Sequence, residues 1–245
     1  FGKEVFGGFG RNVFNPAIVG RAFVYVCFPI EMTSQFVPVW RNGPGGFAHW
    51  SSRTLIEGTN AVTAATPMWF RRDYGFGAGL PWGTQIKQLF FGTIGGIYET
   101  AEGTSRVLAA GSVGEVSALL LILGGVYLLW TKTANWRLVA SSFGGAIAAS
   151  IFFRYGLGAE KVPDPLFTLF SGAMVYACFF MVTDPVSAPR DKPTQWIYGA
   201  FIGIMIVFLR WKAVFAGGVA FAILLGNTLG PTVEMCSKQI AAWRK

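Results

Sequence analysis

The chain has 245 residues, 53% of them hydrophobic and only 13% charged, which is about half the charged share of an average soluble protein. Its net charge of +8 comes from Lys and Arg residues scattered at the ends of apolar runs, the pattern of a membrane protein rather than of a nucleic-acid binder. Cys27, Cys178 and Cys236 are far apart and cannot alone hold an iron–sulfur cluster, and a single histidine, His49, excludes two-histidine haem ligation and argues against a zinc site. No metal site is expected within the chain, so any electrons it moves must travel on an organic cofactor. The first residue is Phe1 rather than methionine, so an upstream part is expected to be missing; residues 1–20 hold Gly, Asn and Pro where a secretory signal would be apolar.

In chain order, the first feature is a glycine-rich turn from Lys3 to Asn15, with Gly7, Gly8 and Gly10 ahead of Pro16. Proline suits the first turn of a helix, because its missing N–H costs nothing there. Residues 15–30 are expected to span the bilayer after a re-entrant opening (residues 1–30 as one unit). Either the turn offers backbone N–H groups to a ligand or it packs tightly and does no more; both readings stand on sequence.

Residues 31–111 are rich in Gly, Trp, Pro and Arg, and no apolar stretch among them approaches the roughly 20 residues of a bilayer helix. They are expected to form a water-side excursion. Within it lies Asn60-Ala61-Val62-Thr63-Ala64-Ala65-Thr66-Pro67, a small-residue loop ending in a threonine hydroxyl, followed by Trp69, Phe70, Arg71 and Arg72. The small residues leave room for a bulky group, the rings can cover a flat cofactor, and guanidinium groups suit a phosphate. A plain Thr/Ala turn with incidental aromatics fits the same residues. Residues 94–110 carry no reading of their own.

Ser112 and Glu115 have the spacing of a capping box at a helix start. Alternatively Glu115 is a membrane-embedded carboxylate facing a cavity, which would need a partner or water. Apolar runs then follow at about 113–130, 136–153, 166–182, 196–209 and 217–235, giving a five-helix region over 112–245 and, with residues 15–30, six spans. Short connections predict antiparallel neighbours. Asp184-Pro185 ends the run before it in an Asx-type turn or offers a cation or cofactor contact. Glu234 lies inside the last run, four residues before Lys238, so it is either an ion pair or an ion ligand. Lys132 with Arg137, Arg190 with Lys192, and Lys238 with Arg244 and Lys245 share one side if the count is six, and the positive-inside bias makes that side cytoplasmic. Arg210 and Lys212 are expected in a loop on the opposite side, and the Thr66 loop outside the cytoplasm. A faint echo links Val5-Phe6-Gly7-Gly8 and Asn15-Pro16 to the string from Val214 to Gly218 with Asn227 and Gly230-Pro231, as an inverted repeat would.

Four of these segments resemble one family in its order. Thr63-Ala64-Ala65-Thr66 is similar to the flavinylation motif of membrane subunits in the sodium-translocating NADH:quinone oxidoreductase (Nqr) and Rnf complexes, with Asn60 and Ala64 where aspartate and glycine are usual. The glycine-rich opening, Gly111-Ser112-Val113-Gly114-Glu115 and Thr183-Asp184-Pro185-Val186-Ser187-Ala188 match segments of the same family, and Glu234 falls on an acidic position linked there to cation uptake. The likeness is nearer the B-type membrane component of Nqr (NqrB) than the D-type component of Rnf (RnfD), and it covers the C-terminal part of such a protein.

The resemblance implies an all-α integral membrane protein, a multi-helix bundle with inverted repeats and Gly/Pro-interrupted helices, multi-pass in the bacterial inner membrane. It implies FMN bound to Thr66 by a phosphoester, noncovalent riboflavin, quinone as substrate and sodium export, with Glu234, Glu115 and Asp184 as ion-path carboxylates and the other subunits of a redox complex as partners. The alternatives are an RnfD-type component of a ferredoxin:NAD oxidoreductase and a non-redox channel or transporter of related fold.

Overall fold

The glycine-rich turn delivers the chain into α1 (Pro16–Cys27). The Asn15 side chain accepts from the N–H groups of Ala17 and Ile18, so it caps a helix whose first residue, Pro16, has no N–H to satisfy. In this computed structural model the described residues are 2–8, 10–28, 67–74, 81–93, 96–99, 105–108, 117–213 and 217–243. Two short helices follow, α2 (Pro67–Tyr74) and α3 (Trp82–Phe91). Strands β1 (Gly96–Glu99) and β2 (Ser105–Leu108) then pair antiparallel, with Gly96 opposite Leu108 and Glu99 opposite Ser105. This hairpin fills the stretch for which the sequence offers no reading; four-residue strands are too short to show a period. Apart from it, the described elements are helical, as an all-α membrane protein requires.

Helix α4 (Ala118–Trp130) is capped by Ser117, whose Oγ accepts from the Leu120 N–H. The expected start at Ser112 is therefore not where the described helix begins; Ser112 and Glu115 themselves lie outside the described residues. Helix α5 (Trp136–Ile151) continues as a π turn, Phe152–Gly156. The next apolar run is not one helix. It is α6 (Pro165–Phe170), a break at Ser171–Gly172, and α7 (Met174–Tyr176), which runs on as a second π turn, Ala177–Met181. Gly172 takes φ +61°, a left-handed conformation that an L side chain would strain. Helices α8 (Lys192–Lys212) and α9 (Gly218–Trp243) complete the chain, with Pro231 inside α9.

Three of these helices are long and apolar enough to cross a membrane: Trp136–Gly156, Lys192–Lys212 and Gly218–Ile240. Of the six expected spans, Pro16–Cys27 and Ala118–Trp130 are apolar but shorter, and 166–182 is interrupted. Hydropathy sees composition over a window and is blind to a two-residue change of backbone direction.

The expectation of antiparallel neighbours needs correcting at the main contact. Helices α5 and α8 lie side by side with their numbers rising together. Trp136 meets Trp196 edge to face at 5.9 Å, Ser141 Oγ donates to the Gln195 carbonyl at 3.3 Å, and Phe153 meets Trp211 at 5.3 Å. The pair is parallel. Direction alternates along the chain, but the broken segment between them lets the next helix but one return alongside. Small residues permit the approach: a Cβ on Gly203 would collide with the backbone of Ser142 and Ala146, and one on Gly145 with the backbone of Ala200. Helix α9 runs back along α8, with Gly218 against Leu209, Gly226 against Ile202 and Gly230 against Tyr198. Leu138, Met174, Ile202, Ile206 and Ile223 fill the core between these elements.

The two similar glycine/asparagine/proline strings occupy different places. Asn15-Pro16 opens α1, whereas Asn227 and Pro231 lie within α9. Proline is comfortable in the first position and deprives the Asn227 carbonyl of its helical donor in the second.

Gly203→Ala should lower the unfolding free energy of the detergent-solubilised protein by about 1–3 kcal/mol, because backbone rather than a flexible side chain stands in the way. Gly144→Ala on the same helix pair, where a Cβ meets nothing within 4 Å, should show no loss in the same equilibrium unfolding measurement.

Candidate functional site

The parallel α5–α8 pair sorts the chemistry into two ends. At one end stand the starts of α5 and α8 and the end of α9. Lys132 and Arg190 sit in the two turns that precede α5 and α8, and Arg137 and Lys192 in the first turns of those helices, around the Trp136–Trp196 contact. Lys238 joins them, close enough to feel the charges of Asp191 and Arg190. The basic turns that loop charge alone grouped on one side are thus at one end of the bundle.

Two of the candidate carboxylates lie at this end. Asp184 follows the second π turn and accepts from the Val186 N–H at 3.3 Å and from Ser187 Oγ at 2.7 Å, an Asx turn that holds it in place. Glu234 pairs with Lys238 at 2.9 Å across one turn of α9. That ion pair accounts for Glu234 without an ion. At the same end Asn15 is buried: its Oδ1 caps α1, and its Nδ2 donates to the Met181 carbonyl at 3.3 Å, which ties the start of α1 to the end of the broken helix.

Beneath this end is a buried polar layer. Tyr198 on α8 donates to Asn227 Oδ1 on α9, and both are nearly inaccessible. Gln195 Nε2 donates to the carbonyls of Pro189 and Arg190. Asn227 Nδ2, Gln195 Oε1 and Thr194 Oγ1 are buried without a hydrogen-bond partner among the described residues. Each such group costs about 1–3 kcal/mol if nothing satisfies it.

At the opposite end is the helix break. Ending α6 inside an apolar layer frees backbone carbonyls that no water there can satisfy. Arg210, in the last turn of α8, donates from Nη1 to the Thr168 carbonyl and from Nη2 to the Ser171 carbonyl, both at 3.1 Å. Ser150 Oγ donates to the Pro163 carbonyl at 2.9 Å, and Arg154 both donates to the Val162 carbonyl and pairs with Asp164 at 3.1 Å. Arg210 is therefore not a loop charge, as its place beside Lys212 suggested. It is a helical residue turned into the break. No local pattern signals this, because the break that needs the arginine is itself invisible in the apolar run.

Helix α2 also belongs to this end. Arg72 Nη1 donates to the carbonyl of Ala213, the residue that caps α8. Thr66 lies outside the described residues, but it directly precedes Pro67, the first residue of α2. A phosphate attached there would sit at a helix N-terminus, where free N–H groups and the helix dipole favour an anion. The structure thus brings Asp184 and Glu234 to one end and the helix after Thr66 to the other; Glu115 is outside the described residues.

The sequence matches the model of the NQR2, RnfD, RnfE family over residues 1–242. It is 33% identical over 240 residues to the B-type component of the Na(+)-translocating NADH-quinone reductase of Pseudomonas paraeruginosa, covering 95% of this chain and 51% of that protein. The corresponding protein of Azotobacter vinelandii is 32% identical over 240 residues, again with 95% and 51% covered. The D-type component of the ion-translocating oxidoreductase complex of Pseudomonas paraeruginosa is 32% identical over 253 residues, covering 96% of this chain and 63% of that protein. The chain spans about half the length of the NADH-quinone reductase relatives it matches.

Arg210→Met should leave the Thr168 and Ser171 carbonyls unpaired and lower the unfolding free energy by about 2–5 kcal/mol in a detergent unfolding titration. Arg210→Lys, which offers a point donor instead of a fork, should fall between that variant and the parent.

Proposed function

This chain belongs to the NQR2, RnfD, RnfE family, and from that membership we propose that it works as an electron-carrying membrane subunit of a respiratory sodium pump. It is a multi-pass protein of the inner membrane. The reading is supported most by a match that runs over residues 1–242 to a family whose named members are subunits of redox-driven, ion-translocating complexes. In this reading Thr66 Oγ holds FMN through a phosphoester, and noncovalent riboflavin lies near the buried polar layer at the basic end. The flavins, when bound, accept electrons from a partner protein of the complex and pass them toward quinone.

The chain's own residues then have defined tasks. Thr66 fixes the flavin to the backbone directly before α2, whose N-terminus suits the phosphate. Tyr198 and Asn227, across the α8–α9 contact, and Gln195 and Thr194 at the start of α8 supply buried hydrogen-bonding groups. Asp184 and Glu234, with Glu115, offer carboxylates to a sodium ion on its way through the protein. The turn around Asp184 holds its carboxylate through the Val186 N–H and Ser187 Oγ, at the same end of the bundle as Glu234.

A second reading has its own support. The match to the ion-translocating oxidoreductase relative covers as much of this chain as the match to the NADH-quinone reductase relative, so an Rnf-type complex exchanging electrons between ferredoxin and NAD would use the same Thr66 chemistry. The proteins that co-purify with this chain separate the two. A channel or transporter without redox function would hold no flavin at all.

Mass spectrometry of the peptide spanning Thr66 should show the mass of FMN less one water, and Thr66→Ala should lose in-gel flavin fluorescence while the complex still assembles. Fluorescence retained by the denatured Thr66→Ala protein would move the attachment to another residue, Thr63 first. In the same preparations Glu234→Ala should raise the sodium concentration needed for half-maximal quinone reduction with flavin content unchanged, and Glu234→Asp should not; unaltered sodium dependence leaves Glu234 as the partner of Lys238 alone.

A further inference from the structure

The parallel pairing of α5 and α8 assembles an amphipathic surface at the basic end. Trp136 and Trp196, whose rings meet at 5.9 Å, are 53% and 44% exposed. They stand at the first residue of the span Trp136–Gly156 and about one turn into the span Lys192–Lys212. That is the level at which tryptophan sits between acyl chains and headgroups. Lys192 opens α8 four residues before Trp196, about 6 Å further out along the helix. Lys132 precedes Trp136 by the same number of residues, and Arg190 lies just ahead of α8. The Arg137 guanidinium lies 5.2 Å from the centre of the Trp136 ring. Lys132, Arg190 and Lys192 are exposed, and among the described residues none of the four cations has a carboxylate within 4 Å. Glu234 is taken by Lys238, and Asp184 by its own turn. The two helices also bring the positive ends of their dipoles to this place together.

Lys132 adds an observation of its own. It follows the cap of α4 in a left-handed conformation (φ 59°), the one non-glycine residue with positive φ among those described. Its N–H bonds to the Leu129 carbonyl at 3.1 Å, and the Thr133 N–H to the Leu128 carbonyl at 3.0 Å. This is the helix stop at which glycine is the unstrained residue. A lysine there carries backbone strain and places an exposed ammonium beside the start of α5.

We propose that the leading turns of α5 and α8 form a binding surface for the headgroup of an anionic phospholipid. The Trp136–Trp196 pair lies against the upper acyl chain, and Lys132, Arg190 and Lys192, with Arg137, take the phosphate. The order of the groups selects a lipid over an acidic protein segment. The rings sit at the end of the apolar spans and the cations one turn beyond them, as the acyl chains and the phosphate of a lipid are stacked along the membrane normal. A free phosphate would use the cations and leave the exposed indoles without a role.

The test titrates the delipidated complex, in an uncharged detergent, with phosphatidylglycerol, phosphatidylcholine or inorganic phosphate, and reads bound lipid by native mass spectrometry. The parent should bind phosphatidylglycerol in preference to phosphatidylcholine, more weakly as salt is raised, and inorganic phosphate at the same concentration should not compete. Lys132→Gly and Lys192→Gln should each weaken phosphatidylglycerol binding about fivefold, and the double variant about twenty-five-fold. Lys161→Gln, an exposed cation at the opposite end, should leave it unchanged. The lipid-free melting temperature of Lys132→Gly should equal or exceed that of the parent, because glycine relieves the left-handed position; a loss of lipid from a protein at least as stable cannot be a folding defect. Equal binding of the two lipids by the parent overturns the proposal, as does competition by inorganic phosphate. A Lys161→Gln loss as large as that of Lys192→Gln also overturns it, since the attraction is then diffuse. So does loss of a partner subunit from the Lys132→Gly and Lys192→Gln complexes with lipid affinity intact, which makes the surface a protein contact.

Discussion

A helix that stops inside a bilayer has to find partners for its own backbone, and much of this structure is arranged around that requirement. The stop at Ser171–Gly172 frees carbonyls in a layer where water is absent, and each one left alone would cost several times the thermal energy. Gly172 makes the turn sterically possible, and Arg210 makes it electrostatically possible. Supplying an arginine at that height demands that α8 end beside the break. Once α8 ends there, its capping carbonyl at Ala213 is available to Arg72 on the helix that follows Thr66. One backbone interruption thus fixes the end of a spanning helix and the docking of a segment far away in sequence.

The second constraint is close packing between parallel helices. With glycine, serine and alanine at the α5–α8 contact, the backbones approach until a single added carbon would collide. Because the two helices run the same way, their basic leading turns come to the same end, and the antiparallel α9 brings Lys238 to it. Asp184, Glu234 and the buried Tyr198–Asn227 pair lie toward this end, while the break, Arg154–Asp164 and α2 lie toward the other.

Different parts of this were legible in the sequence to different degrees, for physical reasons. The long apolar helices α5, α8 and α9 announce themselves because hydrophobic length is all a bilayer asks of a straight span. The helix start at Pro16 and, as one of two readings, the Asx turn at Asp184 were readable because helix starts and turns are local; the Asn15 cap, equally local, was not read. The Glu234–Lys238 pair is equally local. What escaped were the long-range satisfactions. Nothing near Arg210 in the sequence points to Thr168, nothing near Asn15 points to Met181, and nothing near Arg72 points to Ala213. The parallel pairing of α5 and α8 escaped as well, since loop length constrains the neighbour in sequence and not the neighbour in space. Thr66 and Glu115 stand as sequence expectations alone, outside the described residues.

The account depends most on the segment that carries Thr66 and the basic end being on opposite faces of the membrane. Single cysteines at Ser51 and at Lys192, each in a background lacking Cys27, Cys178 and Cys236, should be labelled with a membrane-impermeant thiol reagent in intact cells and again after permeabilisation. The account predicts labelling at position 51 in intact cells and at position 192 only once the membrane is opened. Labelling of both positions in intact cells, or the reverse order, would contradict it.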